Sequence, residues 1–327
     1  MQILELLSMS DFLSKKYQAL GTVIELSLLR AEGLASVEKL DQAYEKIVHY
    51  EDLFTVHREH SELMEVNKAA GVKAVSLSKE VYTLTQKAVR VSQEHFGFNA
   101  SIGPLAKLWH IGFADARVPS DLEIQEALCL TNPDGISFDE QEKAIFLPEK
   151  GMSLDLGGIA KGYIADKIAE FWREQGFCTG MINLGGNLRF LGKPLNRQWR
   201  VGVRNPLEKD KSLVLQVLTS SSSSVTSGID QRYLEREGKT YHHILNPETG
   251  YPHANNLASV TVFSDTSLDG EIEAKRLFFA ENPEEVFLKN RSVIRGAVLI
   301  SKDRKIKILG MKPKDVRVMD KGFVLKN

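Results

Sequence analysis

The sequence predicts a mixed, largely antiparallel sheet with helices packed against it. Runs that alternate apolar and polar residues recur at Gly21–Leu29, Gly135–Leu147, Thr179–Leu191, Trp199–Val203 and Leu213–Leu218, and alternation of this kind marks sheets built from antiparallel pairs. Between them, Val37–His57 and Glu80–Glu94 repeat apolar residues at i, i+3 and i+4, the spacing of one helical face. With 327 residues, 43% of them apolar and 26% charged, the chain can bury a large core, as one domain or two intimately joined ones.

Composition also excludes several classes. A net charge of −1 argues against a nucleic-acid partner, because neutralising phosphates needs a basic face. No apolar run is long enough to span a membrane. Cys129 and Cys178 sit in apolar contexts without zinc-site spacing, and read as small buried hydrophobes. The opening segment carries Glu5 and Asp11 and lacks a basic leader followed by an apolar core of about 7–15 residues, so a cytoplasmic location is expected.

In chain order, the opening segment reads as helix-like, Gly21–Leu29 as a strand, and Val37–His57 and Glu80–Glu94 as helices that cover one face of the sheet. A loop with Asn67 and the turn Ala69-Ala70-Gly71 separates those helices. Phe96-Gly97-Phe98-Asn99-Ala100 leads into a bend at Gly103-Pro104, which a helix interior does not tolerate. Asp121–Leu128 is a short helix and Gly135–Leu147 a hairpin around Glu140-Gln141-Glu142. The serine run Ser220–Ser224 lies between two strand-like segments and reads as a short ordered connection. Leu268–Ala280 is a helix whose first turns hold Asp269, Glu271 and Glu273.

The chemistry concentrates in Ser153–Asp166, SLDLGGIAKGYIAD, where Asp155 precedes Gly157-Gly158, Lys161 follows, and a helical pattern begins. A glycine turn entering a helix offers free backbone N–H groups and the positive end of the helix dipole, which suits phosphate. Plain turn chemistry explains a glycine pair equally well, and neither GxxxxGK[ST] nor GxGxxG with its acidic partner is present. Asn183-Leu184-Gly185-Gly186-Asn187 repeats the pattern. Tyr241-His242-His243 places adjacent histidines on a β-type run, so one faces a site and the other solvent or a neighbouring strand. The acidic residues after Thr266 serve either as dipole capping or as oxygen ligands for Mg2+.

The ordered series ALGT (Ala19–Thr22), GFNASIGPL (Gly97–Leu105), LDLGGIAKGYIAD (Leu154–Asp166), NLGGN (Asn183–Asn187), TSG (Thr226–Gly228), YHHILNPETGYP (Tyr241–Pro252) and an acidic helix after Thr266 resembles the ApbE family of flavin transferases. The motifs run from about residue 16 to residue 280 of a single domain spanning 1–327, with C-terminal strands expected over 281–327. The resemblance implies an α+β fold whose two closely joined subdomains hold FAD in a cleft between them. It implies transfer of FMN from FAD to a threonine of an acceptor flavoprotein, with AMP released. It places Leu20, Gly97, Phe98 and Asn99 against FAD, Asp155 and Lys161 at its polar portions, Gly185 and Gly186 where backbone approaches the cofactor, and His243 in a catalytic role near the pyrophosphate.

The resemblance also implies Mg2+, held by the Gly158 carbonyl and by a helix reading D-A-L-A-T after the conserved threonine. This chain has Glu271 for the aspartate, Ala274 for the alanine and Lys275 where the threonine ligand belongs. An ammonium has no lone pair for a metal. Lys275 therefore either replaces part of the metal's charge, or turns away from a thinner metal site, or weakens catalysis. The last case leaves an FAD-binding protein or a slow FAD pyrophosphatase.

Overall fold

The computed structural model describes residues 11–33, 35–194, 197–208 and 212–326. The first half contains β1 (Phe12–Ala19), β2 (Thr22–Leu29), α1 (Val37–Phe54), α2 (Glu62–Lys68), β3 (Val75–Ser76), α3 (Lys79–Ser92), α4 (Gly103–Trp109), α5 (Asp121–Leu128), β4 (Ser137–Asp139) and β5 (Ala144–Phe146). Next come α6 (Ala160–Glu174), β6 (Gly180–Leu184), β7 (Asn187–Leu191), β8 (Trp199–Arg204), β9 (Leu213–Thr219) and β10 (Ser223–Gly228). The remainder is β11 (Tyr233–Arg236), β12 (Lys239–His242), β13 (Leu257–Ser264), α7 (Ser267–Phe279), α8 (Pro283–Lys289), β14 (Ile294–Ser301), β15 (Lys305–Leu309), β16 (Val316–Val318) and β17 (Val324–Lys326).

A nine-stranded sheet in the order β1-β2-β6-β7-β10-β13-β14-β15-β17 organises the chain. Every neighbouring pair is antiparallel except β15 and β17, so the mixed, largely antiparallel α+β class holds. The strand period of two sends alternate residues to opposite faces. Val260, Val262, Ala297 and Leu299 pack with Ala274, Leu277 and Phe278 of α7. Phe263, Val298 and Ile300 instead join Val201, Val203, Val214 and Val217 of a separate three-stranded sheet, β16-β9-β8. The largest core lies under α1, α3 and α6, which bury Leu40, Ile47, Leu84, Ile164 and Trp172 with Ile24, Leu26 and Leu28 of β2.

Five expectations change. The opening segment is strand from Phe12 onward, paired with β2. It is an edge strand whose polar residues disguise the alternation, and Lys15 and Tyr17 both bond Asp41 of α1. Residues 1–10 lie outside the described residues. The loop around Asn67 contains α2, capped by Ser61 and too short for a periodic signal. Pro104 sits in the first turn of α4, where its missing N–H costs nothing. The C-terminal region is not all strand, since α8 precedes β14. Both cysteines are exposed rather than buried, and neither belongs to one of the cores. The Ser220–Ser224 connection is ordered, with Ser223 and Ser224 buried at the start of β10.

Candidate functional site

A cleft of about 1900 Å³ opens where the two hairpin turns β1–β2 and β6–β7, the 97–104 loop, the 153–161 stretch, His243 and α7 meet. Drug-sized ligands occupy about 300–1,000 Å³, so this space suits a larger molecule such as a dinucleotide. The 153–156 segment forms one wall and is held from both sides. The Asn67 side chain donates to the Leu154 carbonyl and accepts from the Leu154 N–H at 3.0 and 2.7 Å. On the other side the Asp155 N–H donates to Ala100 and the Gly103 N–H to Ser153, at 2.8 and 3.1 Å.

The glycines divide by role. Gly157 and Gly158 do not have positive φ. A Cβ at Gly158 would instead stand 3.0 Å from the Phe98 ring and 3.2 Å from Cε of Lys275, so glycine there supplies room. Asp155 closes the turn by accepting from the Gly157 N–H at 2.7 Å. No side chain caps the start of α6, leaving that helix end toward the cleft.

In the β6–β7 turn, Gly185 has φ 66° and its Cβ would strike Thr22 at 2.5 Å, so the two hairpin tips abut. Gly186 has φ 100° with open space where a Cβ would be, which leaves its backbone accessible. Leu20 occupies the β1–β2 turn with φ 55°. Gly97 has φ 117°, and a Cβ would fall 2.2 Å from the Phe279 ring. Phe98 lines the cleft from beside Gly158. Asn99 is committed within the protein, donating to the Thr131 carbonyl at 2.7 Å and accepting from the N–H and hydroxyl of Ser101. What it brings to the cleft is the shape of the loop.

The two histidines separate as alternation requires. His242 is buried, with Nε2 against the His253 carbonyl at 3.1 Å, and burial drives its pKa down to about 4. His243 lines the cleft and stays solvent-accessible. Its Nδ1 lies 3.1 Å from the Arg232 carbonyl. A carbonyl can only accept, so Nδ1 carries the proton and Nε2 keeps the lone pair. The protein around the ring lowers this pKa by partial desolvation, opposed in part by the Arg232 carbonyl, and the ring is neutral at pH 7.

Opposite the glycine turn, α7 presents Glu271 and Lys275. Glu271 Oε1 accepts from the Asn187 amide at 2.8 Å, and Lys275 Nζ lies 2.9 Å from Oε2. Burial alone would raise the Glu271 pKa, but Lys275 and Lys161 together hold it below the usual carboxylate value. Burial lowers the Lys161 pKa, with Glu271 working the other way. The helix is locked in place by Asp166, which accepts from the Ser267 and Leu268 N–H groups at 3.0 and 2.9 Å and pairs with buried Arg189 at 2.6 Å.

A family model described as the ApbE family matches residues 20–294. The chain belongs to the ApbE family. It is 39% identical to an FAD:protein FMN transferase of Klebsiella pneumoniae, covering 96% of this chain and 98% of that protein. It is 30% identical to one of Treponema pallidum, covering 95% and 91%. The crystal structure of the ApbE protein from Thermotoga maritima superposes with a TM-score of 0.81 at 26% identity, over 90% of this chain and 96% of that one. The fold is also that of the Pseudomonas stutzeri flavinyl transferase ApbE, with a TM-score of 0.76 at 22% identity over 89% and 91%.

As an ApbE chain, this one places Leu20, Phe98, Asp155, Lys161, Gly186, His243, Glu271 and Lys275 around one cleft. The Ala274 side chain packs from α7 into the core with Val260, Val262 and Ala297. The donors near Glu271 do not fit a divalent metal ion. Both carboxylate oxygens are engaged, one of them by an ammonium that has no lone pair to offer a metal. No described helix is long and apolar enough to cross a membrane.

Sequence reasoning named Asp166 and Asn187 within motifs without giving them roles. Their contacts span 101 and 84 positions, and no periodicity reports such distances. It missed the ring platform at the cleft wall, where His110 and Phe113 stack at 4.1 Å and His57 lies 5.0 Å from Phe113. That platform depends on His110 adopting φ 47° at the end of α4, for which the sequence carries no signal.

Proposed function

We propose that this chain transfers the FMN portion of FAD to a threonine hydroxyl of an acceptor flavoprotein and releases AMP. The observation that carries the reading is the convergence, in one dinucleotide-sized cleft, of the Gly157-Gly158 turn at the open start of α6, Lys161, Lys275 and neutral His243. Its relatives' names support the same activity. The proposal takes the chain as one transferase domain, supported by a single sheet that includes strands from both ends, β1 and β17.

Phosphoryl transfer depends chiefly on positioning and on neutralising charge at the transferred group. The helix end and Lys161 face the FAD pyrophosphate, whose negative charge favours the protonated lysine. Gly186, with open space where a side chain would stand, lets the cofactor come close to the backbone, and Leu20, Phe98 and Asp155 shape the walls. His243 Nε2 accepts a hydrogen bond from the incoming hydroxyl and orients its oxygen toward phosphorus. The resemblance implies Mg2+, whose chemistry when bound is neutralisation of phosphate charge. Because the donors at Glu271 do not fit it, the steps proposed here do without it.

The test is incubation of the purified chain with FAD, with and without an acceptor flavoprotein, and chromatographic detection of AMP and free FMN. AMP formed with the acceptor present and no matching free FMN supports the proposal, whereas AMP with an equal amount of free FMN marks a pyrophosphatase. Stoichiometric flavin that remains FAD favours a binding protein, and absence of flavin binding removes the reading.

A further inference from the structure

Lys275 and Glu271 form a buried ion pair inside the cleft, with side chains 17% and 6% exposed. Such a pair gains little net stability over apolar replacements, so its presence beside a ligand space calls for another explanation. Its geometry is fixed by a relay. The Ser267 hydroxyl bonds Asn187 Oδ1 at 2.6 Å, the Asn187 amide donates to Glu271 Oε1 at 2.8 Å, and Glu271 Oε2 holds Lys275 Nζ at 2.9 Å. Nζ is tied a second time, to the Glu271 carbonyl at 3.3 Å. The Lys275 stem crosses Gly158 closely enough that a Cβ there would touch Cε at 3.2 Å. The ammonium is therefore delivered beneath the turn that opens α6, within electrostatic reach of Lys161.

We propose that the Lys275 ammonium, held by Glu271 beneath the Gly157-Gly158 turn, is the cation that neutralises the FAD pyrophosphate, so that this chain transfers FMN without a divalent metal. The inference rests on the FMN-transfer reading given above. Two lysines and one carboxylate leave a net positive site, which attracts a pyrophosphate diester and repels a metal ion. Glu271 then orients an ammonium, which explains why both of its oxygens are already engaged. In the reaction, the acceptor oxygen forms a bond to the FMN phosphorus and the bond from that phosphorus to the bridging oxygen breaks. The bridging oxygen leaves with the electron pair as AMP. The hydroxyl proton passes to solvent by way of His243 Nε2. Lys275 Nζ donates to a non-bridging oxygen throughout and neither gains nor loses a proton.

The experiment titrates FAD into the metal-stripped chain by calorimetry, once with excess EDTA and once with excess MgCl2, and measures AMP formed with an acceptor flavoprotein added under each condition. The expected result is equal FAD affinity and equal AMP in both. Lys275→Met should weaken FAD binding about tenfold or more, the range of one charge-assisted hydrogen bond, and Lys275→Arg should restore most of it without metal. The Glu271→Gln/Lys275→Met double variant removes both charges, avoids an uncompensated buried carboxylate, and should show the same loss. FAD binding or AMP formation that requires MgCl2 in the wild type overturns the role of Lys275 and leaves FMN transfer standing. FAD that binds under neither condition overturns the transfer reading itself.

Discussion

Lowering the pH from 7 to 5 should destabilise the protein by about 2 kcal/mol through His242 alone. Its pKa falls from 6.5 to about 4, first because burial excludes water, then because Lys302 and His253 disfavour a second positive charge beside them. The His253 carbonyl offsets only part of this. An unfolded chain takes up the proton near 6.5, whereas the folded chain resists until about 4. The stabilisation is thus fully present above the unfolded pKa and is lost as pH falls toward the folded one. The difference between the two values corresponds to about 3 kcal/mol in full, of which about 2 is lost between pH 7 and pH 5. Urea unfolding of the wild type and of His242→Gln at both pH values isolates the effect. His243 shifts in the same direction, chiefly by desolvation and only secondarily through His242, so most of its contribution is common to both proteins. The wild type should lose about 2 kcal/mol more than the variant over this interval. Equal losses would refute the placement of His242 as a buried neutral ring.

Asp166→Ala should cost about 3–5 kcal/mol, because Arg189 stays buried without its partner and α7 loses the acceptor for two N–H groups. A loss below about 1 kcal/mol in denaturant unfolding, the usual size for an exposed ion pair, contradicts this. Gly97→Ala drives a methyl into Phe279 at φ 117°, whereas Gly33→Ala meets nothing within 4 Å. The first should cost about 1–3 kcal/mol more than the second and should weaken FAD binding, and equal costs would show that Phe279 yields. His243→Ala should lower the transfer rate about 100-fold or more while the FAD dissociation constant changes little, measured by single-turnover AMP release. A parallel loss of affinity would make His243 a binding group and remove its part in proton transfer.

The strands were legible because their alternation survives in the sequence. In β8 buried and exposed residues alternate along the whole strand, and the hairpin at β6–β7 carries its glycine pair in plain view. The edge strand β1 was not, since an edge needs few apolar residues and Lys15 serves as an inward one through its bond to Asp41. The motif residues marked the cleft, and their polar offsets pointed to phosphate. What they could not convey was how each polar group is used. Asn99 and Asp155 each close a local turn, and Gly158 makes room for Phe98 and Lys275 without needing positive φ. Lys275 read as a missing ligand, and only the fold joins its ammonium to Glu271 and, through Asn187, to Ser267.

Flavin transfer leaves a covalent mark that intact-mass spectrometry of an acceptor reads without ambiguity. A candidate flavoprotein is incubated with the chain and FAD, and the threonine peptide is then sequenced. The account predicts a mass gain of one FMN less one water on that threonine, with one AMP released for each modified acceptor. AMP formed with the acceptor mass unchanged, and FMN free in solution, would contradict it.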